Sequence, residues 1–353
     1  MVILEINNVS KKYAGAGQLA VDDFSLKVKK GEIIALLGES GCGKTTMLRL
    51  IAGFESADAG EIILRGNSVD GGGRFTEPEK RGVGIVFQDY ALFPHLTVEQ
   101  NVMFGLFRLK KADAENRLHD VLELTQLSAF KKRFPHQLSG GQQQRLALAR
   151  AIAPNPDVLL FDEPFSNLDT QLKEDLRKEI HKIVSKTGIT SIFVTHDTAD
   201  VMAIAQKVVL LKDGKIVQIG TPEEIYNHPK NHYAANFFGK TNLLSATAFD
   251  DGLWFPFGMV KTPLGVFYKG RNVSVSLRPH SFEVFQKPVH GAIEGEIISE
   301  TFFGKYKEII LKTATKTGSR RLTIFVQPHT VFPNQKVFFN ISAEGLSILD
   351  NGF

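Results

Sequence analysis

Cysteine is nearly absent, Cys42 being the only one in 353 residues. A single thiol excludes an intramolecular disulfide framework and fits a reducing compartment. Long apolar runs are missing as well. No stretch approaches the ~18 consecutive apolar residues of a membrane-crossing helix, so the chain is not expected to cross a bilayer by itself. The opening residues, Met1-Val2-Ile3-Leu4-Glu5-Ile6-Asn7-Asn8, lack a basic segment followed by a long apolar one and are not expected to form a signal peptide. Charge of one sign is not in excess either. The 42 Lys and Arg against 38 Asp and Glu leave a net charge of +4, too little to imply nucleic acid as a partner. His280, His290 and Cys42 lack metal-ligand spacing and read as solvated or structural residues. What remains is 43% hydrophobic and 23% charged, an ordinary globular composition, and the length favours two domains.

Against that background one stretch stands out. Gly38-Glu39-Ser40-Gly41-Cys42-Gly43-Lys44-Thr45 follows the apolar run Ile33–Leu37 and precedes Thr46-Met47-Leu48-Arg49-Leu50-Ile51-Ala52, which has helical spacing and Gly53 placed to stop it. Strand, glycine loop and helix start come in the order that a phosphate-binding loop needs. Gly38, Gly41 and Gly43 let the backbone fold tightly and aim N–H groups at phosphate oxygens, and the helix adds the positive end of its dipole. Lys44 can reach the β- and γ-phosphates, and the Thr45 hydroxyl can ligate Mg²⁺. A plain glycine turn would not require Lys and Thr at these spacings. The chain is expected to bind a nucleoside triphosphate.

The remaining motifs fall into an α/β pattern. Tyr13 lies in a loop between two short strands, Leu4–Val9 and Gln18–Val28, and reads either as a base-stacking ring or as a surface tyrosine. Residues 70–82, with Gly71-Gly72-Gly73, read as a loop. The strand Gly84–Phe87 ends at Gln88 and is followed by the aromatic stretch Tyr90–His95. Thr97-Val98-Glu99-Gln100 carries a capping-box pattern, and residues from about 90 to 155 form a mostly helical subdomain. Leu138-Ser139-Gly140-Gly141-Gln142 opens another helix whose N-terminus can hold an anion. The apolar strand Val158–Phe161 runs into Asp162-Glu163, two carboxylates suited to Mg²⁺ handling and water activation. A tight loop, Ser166–Asp169, follows, and the strand Thr190–Thr195 runs into His196. Lys207–Leu211, Asp213-Gly214 and Lys215–Ile219 spell a hairpin. From Asn242 onward helical spacing gives way to short strands separated by turns, which predicts a small β-barrel or sandwich beyond a boundary at 235–243.

Taken in this order, residues 1–240 resemble the ATP-binding cassette of an ABC transporter, with LSGGQ at Leu138–Gln142 as the most discriminating piece. The resemblance implies a P-loop NTPase fold with a helical subdomain, ATP and Mg²⁺ as cofactors, and roles for matching residues. The loop Gly38–Thr45, with Thr46, would hold the phosphates. Tyr13 would stack on adenine. Thr45, Gln88 and Asp162 would serve the metal, Gln88 also sensing the attacking water. Glu163 would be the general base, and His196 would contact the γ-phosphate. Ser139, Gly140 and Gly141, with Gln142 and Asp169 in the same nucleotide-binding set, imply a site shared between two chains and hence a working homodimer. Residues 241–353 are similar to the regulatory OB-like β-domain of importer ATPases, through Ser276-Leu277-Arg278-Pro279. That domain would either regulate or only stabilise the dimer.

The function so implied is ATP hydrolysis coupled to solute uptake, peripheral on the cytoplasmic face of the inner membrane. Residues 88–110 would dock on separate integral membrane permease subunits, and a solute-binding protein would be an indirect partner. The Gln88–Leu96 loop and the short β-domain are most similar to those of ferric-iron import ATPases, which makes ferric iron the expected solute, with a sugar, polyamine or oxyanion as the alternative. A soluble ABC ATPase acting on ribosomes or DNA is the competing class. Such relatives usually fuse two cassettes or carry long coiled-coil insertions, and this chain has neither. A nucleotide-dependent binding protein without turnover is disfavoured because Glu163 and His196 are both present.

Overall fold

A computed structural model describes residues 1–166, 170–315 and 318–350. Its contacts divide the chain into two compact units, Met1–Pro222 and Glu223–Phe353. The division falls earlier than the 235–243 expected from composition. Helices Pro222–Asn227 and His232–Phe237 lie before that expected boundary, but one arginine gathers them into the second unit. Arg278, 1% exposed, donates to the carbonyl oxygens of Tyr226 at 2.7 Å, Ala235 at 2.9 Å and Gly239 at 3.2 Å.

The first unit is built on a six-stranded sheet. Ile33–Gly38 is buried at every position and lies between Lys207–Lys212 and Thr190–Thr195, parallel to both. Val158–Asp162 and then Val83–Val86 extend the sheet in parallel. Continuous apolar strands of this kind suit a parallel sheet covered on both faces. Ile34, Leu36, Leu160 and Ile192 face one core together with the helix Lys44–Ala52, while Ile33, Phe161 and Phe193 face another with the helices Val98–Phe104, Lys111–Leu124, Gly140–Ile152 and Thr170–Thr187. Phe161 and Phe193 stack on neighbouring strands at 4.1 Å. The hairpin at the sheet's edge turns through Asp213 (φ 49°) and Gly214 (φ 79°), the double left-handed geometry that matches strand twist.

A second, antiparallel sheet of this unit contains Val2–Lys11 between Val21–Lys29 and Ala59–Leu64. It also takes in Asn67–Gly71 and Arg74–Phe75, so the segment expected as a loop over 70–82 begins as a short hairpin. Its three glycines, at φ of 118°, 60° and 81°, turn the chain back at once instead of loosening it. Beyond it Arg81, 2% exposed, donates to the carbonyls of Leu50 at 2.7 Å and Ile51 at 3.1 Å. A guanidinium thus closes the negative end of the helix Lys44–Ala52. Gly53 makes room for it: at φ 85°, a Cβ there would lie 2.5 Å from Arg81 Nε.

The second unit has two five-stranded sheets around one core. One runs Gly258–Val260, Gly252–Phe255, Asn242–Phe249, Asn272–Leu277 and Leu346–Leu349. The other runs Phe282–Phe285, Lys336–Ile341, Ile293–Phe302, Lys307–Thr315 and Gly318–Val326. In Asn242–Phe249 burial alternates residue by residue, as expected for a sheet with one wet face. This all-β arrangement agrees with the small barrel expected from the turn spacing.

Candidate functional site

Four adjacent parallel strands deliver the expected residues to one edge. Their order is Ile33–Gly38, Thr190–Thr195, Val158–Asp162 and Val83–Val86, and at their C-terminal ends stand the glycine loop, His196, Asp162 with Glu163, and Gln88. Register keeps the ends level, with Leu37 opposite Thr195, Asp162 opposite Val194 and Val86 opposite Phe161. In open parallel sheets ligands bind in the crevice at this end.

The glycine loop is tight for steric reasons. Gly43 caps the helix at φ 101°, and a Cβ on it would lie 2.1 Å from the carbonyl of Ala20. Lys44 is 5% exposed, and its Nζ donates to the carbonyls of Gly38 and Glu39, both at 2.8 Å. Its ammonium is therefore held by backbone oxygens at the mouth of the loop, with Glu39, Ser40 and Gly41 exposed and Thr46 half-buried. Cys42 is buried, and burial pushes its thiol up from the ordinary value, which makes it an inert part of the wall. Thr45 Oγ1 donates to Asp162 Oδ1 at 3.3 Å. Burial above all, together with the carboxylate of Glu163, pushes the Asp162 carboxyl upward against that hydrogen bond. A hydroxyl and a desolvated carboxylate side by side make an oxygen pair that a divalent cation suits.

Glu163 has a strained backbone, at φ 44°. The conformation is held by its N–H donating to Val194 at 3.0 Å and by its carbonyl accepting from Ser166 Oγ at 3.0 Å. Non-glycine residues held in this region mark sites where geometry is over-determined. The result brings Glu163 Oε1 to 3.3 Å from His196 Nδ1, a contact across two strands that the sequence expects only as two separate motifs. Tyr13 is half-buried, with Lys11 Nζ 5.9 Å from its ring. Asp58 accepts from Lys12 N at 2.6 Å and Lys11 Nζ at 3.2 Å, fixing the strand end before it.

Ser139 is the N-cap of the helix Gly140–Ile152. Its Oγ accepts from Gln142 N at 3.4 Å, and Gln142 Oε1 accepts from Ser139 N at 3.0 Å. The helix starts three residues before the Gln143 expected, because this reciprocal cap lets both glycines enter the first turn. Asp169 lies outside the described residues.

Several residues that organise the site carry no local signal. Asn101, fully buried, accepts from Phe93 N and donates to the carbonyls of Phe93, Leu96 and Thr97 at 3.0–3.1 Å. Arg150, near the end of the Ser139-capped helix, donates to the carbonyls of Ala91 at 2.7 Å and Tyr90 at 3.2 Å. Those two residues are in left-handed conformation, at φ 46° and 63°. The loop after Gln88 is thus clamped from two helices, and beside it Phe104, Phe107 and Leu109 form an exposed ledge, with the half-buried Phe93 ring 4.5 Å from that of Phe104. Among the described residues no group of three or more His, Cys, Asp or Glu forms a metal cluster, and no helix is long and apolar enough to cross a membrane.

Comparison with known proteins bears on the whole arrangement. Residues 21–166 match the family described as ABC transporter. The spermidine/putrescine import ATP-binding protein PotA of Nitratidesulfovibrio vulgaris is 42% identical over 337 residues, covering 91% of this chain and 88% of the relative. The Fe(3+) ions import ATP-binding protein FbpC of Fusobacterium nucleatum is 41% identical over 309 residues, covering 86% and 81%. Other relatives named for polyamine import recur at similar identity. Among solved structures, the dimeric post-hydrolysis state of the ATP-binding cassette MJ0796 bound to ADP and Pi is similar at TM-score 0.55 and 30% identity, covering 62% of this chain and 99% of that one.

Proposed function

This chain belongs to the ABC transporter family as an ATP-hydrolysing import subunit, and on that premise we propose that it drives uptake of a polyamine through separate membrane permease subunits. The observation that carries the catalytic part is the 3.3 Å approach of Glu163 to His196 beside the glycine loop. In this reading Tyr13 stacks on the adenine, and Lys44 exchanges its two carbonyl partners for the β- and γ-phosphates. Thr45 and Asp162, with Gln88 at the neighbouring strand end, would hold Mg²⁺, which when bound neutralises phosphate charge. Glu163 accepts a proton from water as the water oxygen attacks the γ-phosphorus and the bond to ADP breaks. His196 holds the γ-phosphate in place. Ser139, Gly140, Gly141, Gln142 and Asp169 complete the site of a second copy, so the working unit is a homodimer. The aromatic ledge of Phe104, Phe107 and Leu109 is the permease-facing surface, which sets the chain peripherally on the cytoplasmic face of the membrane, with a solute-binding protein as an indirect partner. The two compact units correspond to a nucleotide cassette and a C-terminal β-domain.

Polyamine replaces ferric iron as the first reading. Names for polyamine import or transport recur among similar chains, while FbpC supports iron as the second reading. The test is uptake of labelled putrescine, spermidine and Fe³⁺ by cells carrying either the natural chain or Glu163→Gln. Polyamine uptake should fall and iron uptake hold. Loss of iron uptake alone would reverse the order, and unchanged uptake of all three would reject both solutes.

A further inference from the structure

The turn that carries His196 is pinned on both sides of the histidine. Before it, Thr195 is buried, and its hydroxyl donates to Asp200 Oδ2 at 2.6 Å while accepting from Asp197 N at 3.0 Å. After it, both carboxylate oxygens of Asp197 are engaged. Oδ1 caps the next helix by accepting from Ala199 N at 2.8 Å, and Oδ2 accepts from Arg177 at 2.9 Å. Arg177 reaches over from the helix Thr170–Thr187 and also donates through Nε to the buried Asp200 at 2.6 Å. The same guanidinium stands 5.9 Å from the ring of Phe165, two residues beyond Glu163. A cleft lined by Glu163, Ser166, Lys173, His196 and Asp197 lies between these groups. The His196 side chain keeps 59% of its exposure amid this network.

We propose that Arg177, Asp200 and Thr195 form a positioning network that sets His196 against Glu163 and so controls the rate of hydrolysis, not the affinity for nucleotide. One planar cation lies over the ring two residues beyond the general base and donates to the turn of the histidine, and the hydrogen bonds of Arg177 and Asp200 run to that turn. Two carboxylates on one guanidinium define a direction as well as a charge, because the fork donates in fixed geometry. Lysine at 177 would keep the charge and lose the direction. The proposal rests on the reading of Glu163 and His196 as the hydrolytic pair.

The test uses the full-length chain, with steady-state ATP hydrolysis, binding of a fluorescent ATP analogue and thermal unfolding measured side by side. Thr195→Val removes one hydroxyl from the network at nearly constant shape, and Arg177→Lys removes the fork. Each should lower kcat ~10–100-fold, the scale set by small misplacements of reacting groups. Analogue affinity should stay within about twofold, as for interactions made only in the transition state. In a His196→Ala background, followed by single-turnover assay, Thr195→Val should add no further loss, because its effect runs through the imidazole. A natural kcat in folded Thr195→Val would overturn the proposal. So would an equal fall in affinity, or a full additional loss in the His196→Ala background. Should Arg177→Lys not fold, Thr195→Val decides alone. Glu163→Gln is measured in parallel: if it retains turnover the hydrolytic reading fails, whereas if it is inactive and the network variants are not, only the positioning role fails.

Discussion

Two buried arginines, one in each unit, are satisfied in opposite ways. Arg177 meets charge with charge, on Asp197 and Asp200. Arg278 meets only carbonyl oxygens, together with the ring of Tyr226 4.2 Å away. Burial lowers the Arg278 pKa from its ordinary value, with the Tyr226 partner opposing the shift. Carbonyls at helix ends and turns are groups that folding leaves over, and a guanidinium collecting them staples the chain without shaping a reactive surface. Paired carboxylates hold a geometry that can be read out chemically. At these two arginines the charge pairs stand beside the working edge, and the charge-to-carbonyl contacts hold an assembly of helix ends and turns.

The largest effect that would sharpen this contrast lies at the working edge. Glu163→Gln should slow ATP hydrolysis by about 10²–10⁴-fold, the usual contribution of a general base, while the purified protein still binds ATP. Near-normal turnover would remove Glu163 from that role. Lys44→Ala comes next. It should weaken nucleotide affinity ~10–100-fold, matching the ~1.5–3 kcal/mol of a hydrogen bond to a charged group, and a fluorescent-ATP titration checks it. An unchanged affinity would mean that the backbone of the loop binds the phosphates alone.

Arg278→Met tests the other side. It leaves the carbonyls of Tyr226, Ala235 and Gly239 without their shared donor, which should lower the stability of the second unit by about 1–3 kcal/mol. A denaturant titration should show that transition move alone, with kcat for ATP unchanged; a matching loss of kcat would break the contrast. Smallest is the effect of where a fragment is cut. Fragments ending at 222 and at 240 should both bind ATP, but in the longer one residues 223–240 lose Arg278 and should exchange amide hydrogens quickly. Slow exchange there would return that segment to the first unit.

How much of this could be read beforehand depends on how far a contact travels along the chain. The glycine loop, Asp162-Glu163 and the Ser139 cap are legible because each is spelled by residues a few positions apart, even where a contact reaches farther, as from Thr45 to Asp162. The hairpin at Asp213-Gly214 is legible for the same reason. Arg81, Asn101, Arg150 and Arg177 are not. Each is an unremarkable polar residue in its own helix or loop; the arginines have partners up to 60 positions away, as with Arg150 and Tyr90, and Asn101 binds backbone groups that no side-chain pattern announces. The division by contacts falls before the expected boundary for a related reason. Residues 223–240 have helical spacing, and nothing local reveals that an arginine near 280 will claim them. The strand Asn242–Phe249, by contrast, shows its alternation openly, and the turns beyond it announce the β-domain.

The fit of Gly53 under Arg81 has a consequence for how this sequence can drift. A side chain at 53 collides with the guanidinium, and shortening residue 81 lifts only that collision, since φ 85° still favours glycine. The two positions, 28 apart in sequence, are therefore asymmetrically tied. Position 81 can vary first, losing its cap on the helix Lys44–Ala52, whereas position 53 cannot vary before it. Among descendants of this chain, glycine at 53 should outlast arginine at 81, and a lineage with a bulkier residue at 53 should already have a shorter one at 81.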